Sequence, residues 1–279
     1  MPMIHAKELP SGWRPVGRRL SIARCAAPVV ALIALAEPAL ARPIVGDVPL
    51  GGGGSERVLV DGPATPPALL VLFAGGDGTV AFDDAGNVTH LGGNFLVRTK
   101  PLWLAEGFAV AILGPRNGAS LLGARHTAAY ADAIGRAIDF ARGRVNAPVW
   151  LVGTSMGSIA AANGAARLAG RVAGVVLTSS VAGSTSAGET VFDSGLKAIT
   201  VPALIVANKG DTCPSARPGF APKIAAALKH APRKEIIYLE SSAIRSSPCE
   251  AMSPHGYLGI ESEAVKRISD WIKAAPGRS

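Results

Sequence analysis

Residues 149–157 read Val149-Trp150-Leu151-Val152-Gly153-Thr154-Ser155-Met156-Gly157. Four apolar residues in a row have the character of a strand buried on both faces. The next five fit the pattern G-x-S-x-G, and Ser155 to Leu168 after them is an Ala-rich segment of helical character. Strand, glycine-flanked serine and helix in that order describe a tight turn that holds a serine in a strained backbone conformation, where the two glycines let strand and helix approach each other. The N-terminus of the helix also favours negative charge developing near the serine.

Outward from this turn the chain alternates. Short apolar runs at 68–73, 109–113, 149–152, 172–177, 203–207 and 235–239 read as strands. Segments at 95–106, 124–142, 155–168, 221–230 and 261–274 read as helices, with Tyr130, Ile134 and Ile138 on one face of the second. This predicts an α/β fold with a mostly parallel central sheet covered by helices on both faces. A weaker segment near 189–198 sits between two of the strands, and no internal repeat is visible.

The serine needs a base, and the base needs an orienting acid. With a strand-turn-helix serine the expected chain order is Ser, then Asp or Glu, then His, each in a loop after a strand. The 203–207 strand runs into Asn208-Lys209-Gly210-Asp211, and the 235–239 strand into a long loop ending at Pro254-His255-Gly256. Ser155, Asp211 and His255 therefore occupy the required order at one edge of the sheet. Glu240 and Asp193 are the rival acids. His90 and His126 precede the serine, and His230 ends a predicted helix, where it suits the dipole.

On these residues the chain resembles the α/β-hydrolase superfamily over about 57–274. The resemblance implies Ser155 as nucleophile, Asp211 as orienting acid and His255 as general base. It also implies an oxyanion hole made by the Met156 N–H and by Gly75 or Gly76 in the loop Phe73-Ala74-Gly75-Gly76-Asp77-Gly78. Many members have His-Gly here, whereas this chain has Ala74. Asp77 is expected to turn away and bond the loop backbone, because an acid facing the hole would oppose the oxyanion. The resemblance also places Cys213 and Cys249 near the same end of the sheet, as a disulfide stapling the acid loop to the base loop or as two buried thiols. The interval 179–200 is too short for a large helical lid, so a minimal or absent cap is expected.

The 279 residues are 48% hydrophobic and 17% charged, a globular composition, with a formal net charge of +8. Part of that charge belongs to the N-terminus. Arg14, Arg18, Arg19 and Arg24 precede an apolar stretch, 26–36, followed by Ala39-Leu40-Ala41. This is the layout of a secretory signal peptide cut after Ala41. Removing 1–41 takes away five basic and two acidic residues and one cysteine, leaving +5 over 238 residues and the pair Cys213 and Cys249. The Gly- and Pro-rich residues 42–56 read as a flexible lead-in to a single domain, 57–279. An even cysteine pair suits an oxidising compartment, periplasmic or secreted. No clustered Lys/Arg with interleaved aromatics supports nucleic-acid binding, and no His/Cys spacing supports a metal.

The expected activity is hydrolysis of a carboxylic ester without a cofactor, on a small-molecule or acyl-ester substrate. A peptidase, a thioesterase and a non-catalytic binding protein on the same scaffold are the alternatives. Arg116, Arg125 and Lys209 either line the rim and favour an anionic substrate or are solvated surface charges.

Overall fold

The computed structural model describes residues 12, 42–49, 54–115 and 117–275. The chain divides into two units, Met1–Glu37 and Pro38–Ser279, and every element below belongs to the second. The expected signal peptide, Gly12 apart, and Arg116 lie outside the described residues.

Two strands open the unit: β1 (Ile44–Pro49) and β2 (Ser55–Asp61) pair antiparallel, Ile44 opposite Val60. Residues 44–49, expected within a flexible lead-in, are thus an edge strand. The glycines at 51–54 and the charges Glu56 and Arg57 hide this hairpin from a search for apolar runs. Next come β3 (Leu69–Phe73) and a small ribbon, β4 (Ala81–Phe82) with β5 (Val88–His90). The expected helix at 95–106 is two, α1 (Phe95–Arg98) and α2 (Lys100–Ala105). Pro101 causes the break, since proline has no N–H to continue the preceding turn.

The remaining elements alternate as the sequence predicts. They are β6 (Ala109–Pro115), α3 (Ala128–Arg142), β7 (Val149–Thr154), α4 (Gly157–Arg167), β8 (Gly174–Thr178), β9 (Ala203–Asn208), α5 (Ala221–Ala227), β10 (Lys234–Leu239) and α6 (Glu261–Lys273). Eight strands form one sheet in the order β1-β2-β6-β3-β7-β8-β9-β10. Pairing is parallel from β6 to β10, and β2 runs antiparallel to β6. Between β8 and β9 stand only two short 3-10 turns, Val191–Ser194 and Leu196–Ala198, so no large cap covers the sheet's upper edge.

The strands bury both faces. Leu69, Val71, Leu151 and Ile205 pack with α3, α4 and α5, while Leu70, Leu72, Val152 and Leu204 pack with α6 and the α1–α2 pair. Each such side chain is worth roughly 2 kcal/mol of apolar burial, so the central strands hold the frame on which the loops stand. Trp150 meets Trp271 of α6 edge-on, ring centroids 5.7 Å apart.

Candidate active site

The turn after β7 puts Ser155 at φ +53°, a left-handed conformation that costs a non-glycine residue about 1 kcal/mol or more. The surroundings fix it there. Ser155 N donates to Thr178 O on β8 at 3.0 Å, and Ser158 N and Oγ both donate to Ser155 O. The flanking glycines are steric requirements: a Cβ on Gly153 would lie 2.3 Å from Gly157 O, and one on Gly157 would lie 2.1 Å from Phe73 O.

Asp211 and His255 come together as expected. Asp211 Oδ2 lies 2.8 Å from His255 Nδ1, and both residues are 4% exposed. Asp211 Oδ1 accepts from Cys213 N at 2.9 Å. His255 Nε2, at the far side of the ring, is buried and has no hydrogen-bond partner among the described residues. His255 and Ser155 line one pocket of about 210 Å³, together with Gly75, Gly76 and Phe95. The rival acids are occupied elsewhere. Asp193 caps a 3-10 turn through Thr190, and Glu240 is exposed beside Lys209. His126 pairs with Glu189, and His90 and His230 are exposed.

Facing the serine, the loop after β3 brings Gly75 so close that a Cβ on it would lie 2.9 Å from Ser155 Cβ. Among the described residues, no group accepts from the N–H of Gly75, Gly76 or Met156. Gly75 and Gly76 line the same pocket as Ser155, and Met156 follows it in the chain. Asp77 does bond its own loop: its Oδ1 accepts from Thr79 N at 3.1 Å and from Thr79 Oγ1 at 2.8 Å.

A second pocket of about 320 Å³ shares Ser155, Gly76 and Cys249 with the first and extends along Met156, Val181 and Leu122. The Cys213–Cys249 disulfide is present and stands in its wall, joining the loop of Asp211 to the loop of His255.

Several supporting residues carry no signal in the sequence. Asn208 Nδ2 donates to Pro254 O at 2.7 Å and to Ser241 Oγ at 2.8 Å, tying the end of β9 to the histidine turn. Ser253 Oγ accepts from His255 N at 3.2 Å. The Tyr257 hydroxyl accepts from Ser179 N at 3.1 Å and donates to Val206 O at 2.8 Å. Burial pushes that phenol's pKa well up, so it stays neutral and able to do both.

Arg125 is a correction. It is neither on the rim nor solvated but 1% exposed, behind the loop at 74–78. Its Nη2 donates to Gly76 O at 3.0 Å and more weakly to Ala74 O at 3.4 Å. Holding those carbonyls on the inner side turns the following N–H groups the other way, because a trans peptide sets C=O and N–H antiparallel. Burial pulls the Arg125 pKa down, and Tyr130, Glu189, Asp77 and Glu56 pull it back up. Glu56 itself is buried against Tyr130 (Oη to Oε1, 3.0 Å), and desolvation raises its pKa to about 7.

A larger cavity, about 420 Å³, lies at the opposite end of the strands among Pro67, Pro148, Pro202 and Trp150. It contains none of the groups just described.

No protein-family model and no curated protein matches the chain. Solved structures do. An esterase of Pyrococcus furiosus is 11% identical, with 84% of this chain and 91% of that one covered and a TM-score of 0.62. Est1E from Butyrivibrio proteoclasticus is 12% identical over 82% of this chain and 97% of that one, TM-score 0.55. The Pyrococcus horikoshii acylaminoacyl peptidase is 11% identical over 86% of this chain, which spans only 42% of the peptidase, TM-score 0.58. The strand order, the turn at Ser155 and these likenesses together show that the chain has the α/β-hydrolase fold.

Proposed function

We propose that the protein is an exported serine hydrolase that cleaves carboxylic esters through an acyl-enzyme on Ser155. One observation carries this reading: a buried Asp211–His255 pair leaves Nε2 without a partner in the same pocket as a serine held at positive φ. That the serine does not bond Nε2 in this structure is common in unliganded enzymes, where catalytic hydrogen bonds tighten only around substrate.

Asp211 holds the proton on Nδ1, so Nε2 is the basic nitrogen. As Ser155 Oγ attacks the ester carbonyl carbon, Nε2 takes the serine proton. The carbonyl oxygen becomes an oxyanion and is held by the N–H of Met156 and by that of Gly75 or Gly76. Collapse breaks the bond to the alcohol, whose oxygen receives the proton from Nε2. Water then adds to the acyl-enzyme, giving its proton to the same nitrogen. The second collapse returns that proton to Ser155 and releases the carboxylic acid.

The disulfide supports export, since such bonds persist in oxidising compartments, and no described helix is long and apolar enough to cross a membrane. The exported chain should begin at Arg42 by mass. A fluorophosphonate probe is expected to add to Ser155 of the oxidised protein. On p-nitrophenyl esters, Ser155→Ala should lose at least about a thousandfold in kcat/KM. Absence of an adduct on the folded chain sinks the proposal. Faster turnover of matched amides or thioesters would move the activity to those substrates.

A further inference from the structure

The two pockets that meet at Ser155 are not equivalent, and the proton path tells them apart. This step rests on the ester-hydrolase reading. The departing alcohol oxygen must be reached by the nitrogen that protonates it. His255 lines the pocket of about 210 Å³ and not the one of about 320 Å³. The alcohol therefore leaves through the first, and the acyl group lies in the second. The acyl pocket has buried Met156 and Val181 and the exposed Leu122 in its lining and is at the small end of the usual range for ligand sites, roughly 300–1,000 Å³. It fits a short chain.

The charges in the two pockets have one sign. Asp77 lines the acyl side and Glu250 the alcohol side, and no described Lys or Arg lines either. This occurs in a chain of formal charge +8. The cation nearest in influence to Asp77, Arg125, is sealed behind the loop with its Nη2 on the Gly76 and Ala74 carbonyls. Lys209 is 59% exposed and stands 3.8 Å from Glu240. Asp77 has only Oδ1 engaged, by Thr79, and no described residue donates to Oδ2. It directly follows Gly75 and Gly76, the candidate oxyanion donors. A carboxylate in the pocket wall, with its coupled cation Arg125 on the far side of the loop, opposes the charge that must develop on the substrate. A positive charge on the acyl group would reverse the penalty.

We propose that this site takes esters of short, positively charged acyl groups and discriminates against anionic ones, with Asp77 as the residue that reads the charge. The test uses two p-nitrophenyl esters with one leaving group and nearly one shape: 4-(trimethylammonio)butyrate and its uncharged carbon isostere, 5,5-dimethylhexanoate. Each rate is taken over the spontaneous background. In the wild type at low salt the cationic ester should have a kcat/KM about tenfold higher, as a partly screened charge pair allows. Added salt should shrink that ratio, because screening acts on charge and not on shape. Asp77→Asn keeps an acceptor for Thr79 and should bring the ratio to about one, whereas Asp77→Glu should retain most of it. The ratio is taken within each variant, so partial misfolding cancels. A wild-type ratio of one or less overturns the proposal, as does a preference that survives Asp77→Asn or ignores salt. If neither ester is turned over and Ser155 takes no fluorophosphonate, the hydrolase reading fails and the proposal falls with it, a result distinct from turnover without charge preference.

Discussion

The parallel strands end differently at their two edges. At the N-terminal edge, β7 and β9 begin just after a proline, Pro148 and Pro202, and β3 begins two residues after Pro67. Proline has no N–H to leave unpaired, and two of these residues use their carbonyls. Pro148 O accepts from Leu69 N and Pro202 O from Val175 N, each at 2.9 Å. Among the described residues the only charged side chain lining the cavity there, Lys273, is paired with Glu106. At the C-terminal edge the bonding is unfinished: a serine at positive φ and, among the described residues, three N–H groups without acceptors and an imidazole nitrogen without a partner. The larger cavity is at the finished edge. Unspent bonding capacity, and not volume, marks where chemistry is available.

This contrast can be broken or sharpened by experiment. The largest effect is expected from reducing Cys213–Cys249. The bond spans 36 positions of sequence, and a loop of that length is worth about 4 kcal/mol in the chain-entropy model. For a domain of this size that is about 10 °C in Tm. Activity should go as well, because the bridge joins the loops of Asp211 and His255. Full activity in a sample whose free thiols are counted by mass spectrometry would show the edge to be held without it.

A smaller effect, dependent on pH, is expected at Glu56. Its folded pKa of about 7 lies above its ordinary 4.5. Between these values the unfolded chain has released the proton that the folded chain keeps, so stability contributed by this group falls as pH rises through the window. It is fully present below about pH 4.5 and lost above about pH 7. Glu56→Gln removes the titration, so the Tm of the variant relative to wild type should climb steadily from pH 5 to 7.5. A constant difference would mean that Glu56 is not desolvated in solution.

The smallest effect belongs to the finished edge. Pro148→Ala should cost about 0.5–1 kcal/mol, through greater freedom of the unfolded chain, and leave kcat/KM on p-nitrophenyl esters unchanged. A loss of activity there would mean the two edges are coupled.

How far the sequence foretells this is uneven for physical reasons. Strands buried on both faces write themselves as unbroken apolar runs, so β3, β6, β7, β8 and β9 are visible directly. The turn at Ser155 is visible because both of its glycines are forced by contact with backbone. Asp211 stands in a short loop after β9 and His255 at the end of the long loop after β10, and their meeting follows from the neighbouring C-terminal ends of these two parallel strands. The hairpin β1–β2 is invisible because its first strand is only half buried and Glu56 interrupts the second. Asn208, Tyr257 and Arg125 are equally hidden. Each acts through hydrogen bonds to backbone far away in sequence, and nothing in a residue's neighbours along the chain reveals that.

Tyr257 has one more consequence. Its hydroxyl is fixed to Ser179 and Val206, and Ser179 Oγ in turn donates to His255 O at 2.8 Å. The height of the imidazole over the sheet is thus set by the ends of β8 and β9 rather than by the length of the loop that leads to it. Residues 242–244, which lie between the Ser241 bonds to Asn208 and the Arg245 N–H bond to Met252 O, can therefore vary without shifting the imidazole. For directed evolution that stretch is an insertion cassette a few residues ahead of Cys249, Glu250 and Ala251 in the wall of the His255 pocket, and it can be lengthened while the imidazole stays where it is.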